Sequence, residues 1–153
     1  MNSLLIALHL LAAIAWVGGM FFAHQVLRPV AVAQLEPPRR LPLWVGVFKR
    51  FFPWVWLAVI LLPVTGYWMA FAFYGGIGQA PVHVHLMHGI GWVMIAVYLF
   101  VYFRPYAVLR QRVVEENWPA AADALASIRK LVGFNLVLGL LVAAIASGGR
   151  FLG

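Results

Sequence analysis

The chain has 153 residues, 65% of them hydrophobic and 10% charged, with Lys+Arg 11 against Asp+Glu 4 and a net charge of +7. A soluble domain is about half apolar and about a quarter charged, so a mean hydropathy of +0.93 excludes a soluble enzyme, a disordered chain and a disulfide-stapled secreted domain. Cysteine is absent, which removes disulfides, iron–sulfur clusters, thiolate metal sites and cysteine nucleophiles.

A spanning helix needs about 20 mainly apolar residues, and four stretches qualify: 4–26, 52–73, 82–103 and 131–147. The first is too long for the apolar stretch of a cleaved signal peptide and has no basic start. Long apolar runs without period-two alternation exclude a barrel. Helices remain the way to satisfy the backbone in lipid. The predicted fold class is all-α integral membrane, a single four-transmembrane-helix bundle over 1–153.

After the first span come Arg28, Arg39, Arg40, Lys49 and Arg50. The stretch 41–50 mixes apolar bulk with basic residues and is expected to lie along the membrane interface. In the second span Pro63 removes one helix hydrogen bond and predicts a kink, with Thr65 and Gly66 just beyond it. The connection 74–81 has no Lys or Arg, whereas Arg104, Arg110, Arg112, Arg129 and Lys130 follow the third span. Asn117-Trp118-Pro119 reads as a helix start, so the fourth helix is expected to begin near Pro119 and project beyond the membrane. Ten basic residues thus lie in the two long connections and one, Arg150, in the C-terminal tail. The positive-inside rule puts both connections in the cytoplasm and both termini outside, as a multi-pass protein of a bacterial inner (plasma) membrane. The positive charge reads as topology and attraction to anionic headgroups, and no nucleic-acid partner is expected.

The nine residues from His9 to Val17 and the nine from His85 to Val93 share His, Leu, Ile, Trp and Val in register. The first and third spans run in the same direction, and Lys49-Arg50 and Arg129-Lys130 open the second and fourth. Two parallel hairpins related by an axis along the membrane normal would leave this pattern; chance likeness between apolar helices is the alternative.

Ionisable groups inside a span are costly and are functional candidates by default. His9 lies about five residues into its span, and His85 and His88 about three to six into theirs, at matching depths. His9, Ala13, Trp16 and Met20 form one stripe, and His85, His88, Gly89, Trp92 and Ala96 another. Two imidazoles from different helices, with small and aromatic residues beside them, suit axial ligation of haem b. On that reading His9 pairs with His85 or His88, and Ala13, Trp16, Gly89 and Trp92 flank the macrocycle. The same histidines with Met87 suit a copper ion. Hydrogen bonding between helices is the structural alternative, preferred for His83 at the water boundary and for His24 beside Arg28. The inner arginines read as topology and snorkelling, most Trp and Tyr as interfacial belts with Trp16 and Trp92 excepted, and Asn135 as bonded to a neighbouring helix. Glu36, Glu115, Glu116 and Asp123 all fall in the basic connections, so no acidic proton relay or catalytic triad can be assembled.

The run from His9 through Ala13, Trp16 and Val17 to Gly18-Gly19 resembles the opening helix of the copper resistance protein D (CopD) family. Thr65-Gly66, Tyr74-Gly75 and Leu138-Gly139-Leu140-Leu141-Val142 extend the likeness in order along the chain. The resemblance implies a membrane protein of copper uptake or resistance. The layout is also similar to HemJ-type protoporphyrinogen oxidases, which are haem-associated and use a histidine in the first helix and a lysine in the third. His9 matches that histidine; the lysine position falls near His88, a departure from the oxidase pattern that still allows axial ligation. This likeness favours His88 as the partner of His9, whereas the repeat favours His85.

Three functions follow. The first is a haem b-binding redox protein that exchanges electrons with quinol or another partner, or performs oxidase-type chemistry as a haem-dependent membrane oxidoreductase, near the outer face. The second is a copper-binding or copper-transporting protein using the same residues. The third is a non-catalytic membrane subunit of a larger complex; a homodimer is among the assemblies the layout allows.

Overall fold

The structure, a computed structural model, describes residues 2–151; the side chain of Arg150, counted above in the charge balance, lies outside the described residues. Every regular element among the described residues is helical. Helix α1 (Asn2–Phe21) passes through a π-helical stretch (Phe22–Leu27) into α2 (Arg28–Gln34). Helix α3 covers Pro37–Tyr74, α4 Val82–Phe103, α5 Pro105–Val114 and α6 Trp118–Gly148. Four continuous helical stretches are long and apolar enough to cross a membrane: Asn2–Gln34, α3, Val82–Val114 and α6.

The breaks have local causes. Leu35 is extended and Pro37 lies just inside the start of α3, where its missing N–H costs nothing. Gly75 (φ +78°) and Gly76 (φ +138°) end α3 in conformations that side chains disfavour. Pro105 separates α4 from α5, since the residue before a proline is pushed out of the helical region. Asn117 caps α6 by accepting from the Ala120 N–H at 3.3 Å, close to the start expected at Pro119. In the turn before it, Arg112 pairs with Glu115 at 2.8 Å. That hydrogen bond, followed by one from Gln111, holds the exposed Glu115 carboxyl below the usual range.

Residues 41–50 do not lie along an interface; they are the first turns of α3, which runs unbroken through Pro42, Pro53 and Pro63. Leu41, Trp44, Phe48, Phe52 and Val55 recur at helical spacing and are all buried, which fixes that face against the bundle.

Three of the aromatic residues assigned to the belt, Trp44, Tyr98 and Tyr106, are instead buried in the bundle, whereas Trp54 and Trp68 are exposed. On α3, Trp44 packs on Phe48, Phe48 and Phe52 meet Tyr106 of α5, and Phe52 also meets Tyr98 of α4; all are buried. Ring centroids lie 4.8 Å apart for Phe52–Tyr106, 5.4 Å for Trp56–Tyr98 and 6.2 Å for Trp16–Tyr98, each edge to face. Tyr98 donates its hydroxyl to the Phe52 carbonyl at 3.3 Å. Lipid is as apolar as these rings, so close packing and hydrogen bonds hold the helices together.

Helix α1 packs mainly on α3, and α4 and α5 mainly on α6. Small residues allow the close approach: a Cβ at Gly139 of α6 would lie 2.7 Å from Val17 Cγ2 of α1. Asn135 of α6 donates to the Met94 carbonyl of α4 at 3.0 Å, the interhelical bond expected of it.

Candidate functional site

The end of the bundle far from the basic connections carries His9 on α1, Thr65 to Tyr67 on α3, and His83, His85 and His88 on α4. Thr65, only 1% exposed, donates its hydroxyl to the Leu61 carbonyl at 2.6 Å, a local bond open to a threonine in a helix. That hydroxyl has one proton, and it is used. His9 Nδ1, 2.7 Å from the same oxygen, is therefore the donor. A neutral imidazole protonated on Nδ1 carries its lone pair on Nε2. Thr65 thus fixes the tautomer and ring orientation of His9 in the way an outer hydrogen bond orients a metal-binding histidine. The ring lies along Gly66: a Cβ there would sit in ordinary van der Waals contact with His9 Cε1 at 3.4 Å.

His88 is arranged differently. The Trp92 indole N–H donates to His88 Nε2 at 3.0 Å, and the Tyr67 hydroxyl lies 2.6 Å from the same nitrogen. An indole nitrogen only donates, so Nε2 bears the lone pair and Tyr67 donates to it as well. The coordinating electrons of His88 are occupied.

The ring of His85 has no hydrogen bond among the described residues. It lines an apolar groove of about 290 Å³ with Gly89 and Val93 of α4 and Phe134 and Leu138 of α6. His83 packs against Gly149, where a Cβ would come within 2.7 Å of its own. Met87 is half-buried. His24 lies at the opposite end, beside Gly133.

The two stripes read from the sequence meet different surroundings. On α1, Trp16 is buried at 3% exposure, Met20 is buried, and His9 and Ala13 are half-buried. On α4, Trp92 is 46% exposed and His85, Gly89 and Ala96 are exposed too; the buried face of α4 carries Met94, Ile95, Tyr98 and Val101. Hydrogen bonds attach His9 to Thr65 and His88 to Tyr67, positions about 200° apart around α3 at 3.6 residues per turn. Among the described residues no hydrogen bond joins His9 to His85 or His88, and no three His, Cys, Asp or Glu side chains converge on one point.

Thr65 and Tyr67 are the partners that the histidine pattern alone does not reveal. A buried threonine hydroxyl within the apolar run 52–73 is the signal for the first, since it must bond to something.

The family model described as copper resistance protein D (CopD) matches residues 45–148 of the chain. No curated protein and no solved structure matches it.

Proposed function

The chain belongs to the copper resistance protein D family, and from that membership we propose that it binds copper within the membrane and passes it on, with His9 Nε2 as the first donor. The observation that carries this reading is the 2.7 Å bond between His9 and Thr65, which leaves a lone pair on an oriented, half-buried imidazole. His85, with its unbonded ring, Met87 on another face of α4, and His88 once Tyr67 and Trp92 release it are proposed as separate, successive donors, not as one shared ligand set. Imidazole and thioether ligands without thiolates or clustered carboxylates suit Cu(I) held by few donors. A site that never gathers three acidic or imidazole groups among the described residues fits a cargo in passage better than a resident ion.

The positive-inside rule supports an orientation with the basic connections in the cytoplasm and the His9 end at the outer face of a bacterial inner membrane. Haem b between His9 and an α4 histidine draws no support from the family, whose description names copper. His9 and His88 also bond to opposite sides of α3.

Competition titration of the detergent-solubilised protein with a chromophoric Cu(I) chelator tests the proposal. Wild type and His24→Ala are expected to withdraw Cu(I) from the chelator, and His9→Ala to lose at least tenfold in affinity. Equal affinity in His9→Ala, or no withdrawal by wild type, overturns it. A Soret band in the purified protein that His9→Ala abolishes restores the haem reading.

A further inference from the structure

The basic end of the bundle contains a cavity of about 200 Å³, larger than the ~150 Å³ void that admits benzene in an engineered protein. It is lined by His24 from the π-helical stretch, Arg28 of α2, Arg40 and Trp44 near the start of α3, and Arg129 and Val132 of α6. No carboxylate lines it. Arg28, Arg40 and Arg129 are half-buried, whereas their neighbours Arg39, Lys49, Arg50 and Lys130 are exposed. Cations that only mark topology or snorkel would extend into water or headgroups; these three line one cavity.

Arg40 donates to the Leu35 carbonyl at 3.2 Å. The ion pair among the described residues is Arg112–Glu115, so no carboxylate neutralises any of the three. Gathering like charges beside apolar walls costs free energy unless an anion offsets it. The backbone is adapted to the same place. Helical bonding widens to the π form through His24, a local change frequent at functional sites. Across from it, Gly133 leaves the space the His24 ring occupies, since a Cβ there would come within 2.9 Å of Nε2.

Guanidinium forks match the oxygens of a phosphate group, and Trp44 and Val132 offer apolar walls to a chain attached to it. We propose that the cavity bounded by Arg28, Arg40 and Arg129 is a phosphate-binding site that accepts the group either as a phospholipid headgroup with its chains along Trp44 and Val132 or as free phosphate. The site is independent of the histidines at the other end and of copper.

Thermal unfolding of the full chain in a non-ionic detergent tests the proposal, with phosphatidylglycerol, phosphatidylcholine or inorganic phosphate added. Phosphatidylglycerol is expected to raise the midpoint saturably. The doubly substituted Arg28→Gln, Arg129→Gln protein should need at least about tenfold more of it, as loss of a charge-assisted hydrogen bond implies, and Arg39→Gln should behave as wild type. Protection by phosphatidylglycerol alone assigns the site to a membrane lipid; protection by inorganic phosphate, lost in the same variant, assigns it to free phosphate. Protection by neither, equal protection by phosphatidylcholine, or an unchanged response in the double variant overturns the proposal. Native mass spectrometry of the wild-type protein gives a reading free of variants. Phosphatidylglycerol or phosphate adducts that survive activation stripping phosphatidylcholine support the site, and loss of all adducts together overturns it.

Discussion

His9 Nδ1 and Thr65 Oγ1, 56 positions apart in sequence, lie 2.7 Å from each other, and the 2.6 Å bond from Thr65 to Leu61 settles which of them donates. A single hydroxyl proton committed to the backbone makes the threonine oxygen an acceptor, and the acceptor selects the histidine tautomer. The consequence is a lone pair on Nε2, held in one direction by a buried residue on a neighbouring helix.

Removing the acceptor should therefore weaken metal binding without removing the ligand. Thr65→Val is expected to lower Cu(I) affinity by roughly 10–100-fold, the usual effect of losing an outer hydrogen bond to a ligating histidine. Thr65→Ser should restore most of it. Chelator competition on the three proteins checks this, and unchanged affinity in Thr65→Val would show that the tautomer is set by something else.

The contrast between His85 and His88 predicts different chemical reactivity. An unprotonated imidazole nitrogen attacks a carbonyl of diethyl pyrocarbonate through its lone pair and expels ethyl carbonate, so His85 should be modified faster than His88, whose Nε2 is engaged by Tyr67 and Trp92. In the combined Tyr67→Phe, Trp92→Phe protein the His88 rate should rise toward that of His85. Peptide mass spectrometry over a time course measures both.

Close helix approach at Gly139 should be sensitive to a single methyl group. A Cβ there meets Val17 at 2.7 Å and Met94 at 3.2 Å, and overpacking of this kind costs about 1–3 kcal/mol. Gly139→Ala is expected to lower the unfolding midpoint in detergent. Gly18→Ala, with open space at its Cβ position, should not lower it.

Asn135 carries two opposing effects. Its Nδ2 donates to the Met94 carbonyl at 3.0 Å, while its buried Oδ1 has no partner among the described residues. Interhelical hydrogen bonds in membranes average about 0.6 kcal/mol, and relief of an unsatisfied oxygen offsets the loss. Asn135→Leu should thus change stability by less than about 1 kcal/mol in equilibrium unfolding; a large loss would mean that Oδ1 holds something.

The helical class, the four long apolar helices and the start of α6 were legible because lipid leaves the backbone few choices and because Asn117 and Pro119 announce a helix start. The depth of residues 41–50 in the bundle was not. Leu41, Trp44 and Phe48 have the composition of an interfacial helix, and only their partners, among them Tyr106, distinguish a buried face from one lying on headgroups. The candidate histidines were visible as ionisable groups in apolar spans. Their hydrogen bonds were not, because Thr65 and Tyr67 come from α3, and sequence spacing says nothing about which helix a histidine turns toward. The convergence of Arg28, Arg40 and Arg129 was hidden for the same reason: three separate helices supply it, and each arginine alone reads as topology.

The most direct measurement is nitrogen NMR of the protein labelled with ¹⁵N-histidine, with the His9 resonances assigned by comparison with His9→Gln. A protonated Nδ1, an unprotonated Nε2, and a Cu(I)-induced shift at His9 that is largest at Nε2 are the expected results. A proton on Nε2, or His9 resonances that do not respond to Cu(I), would contradict the role proposed for His9.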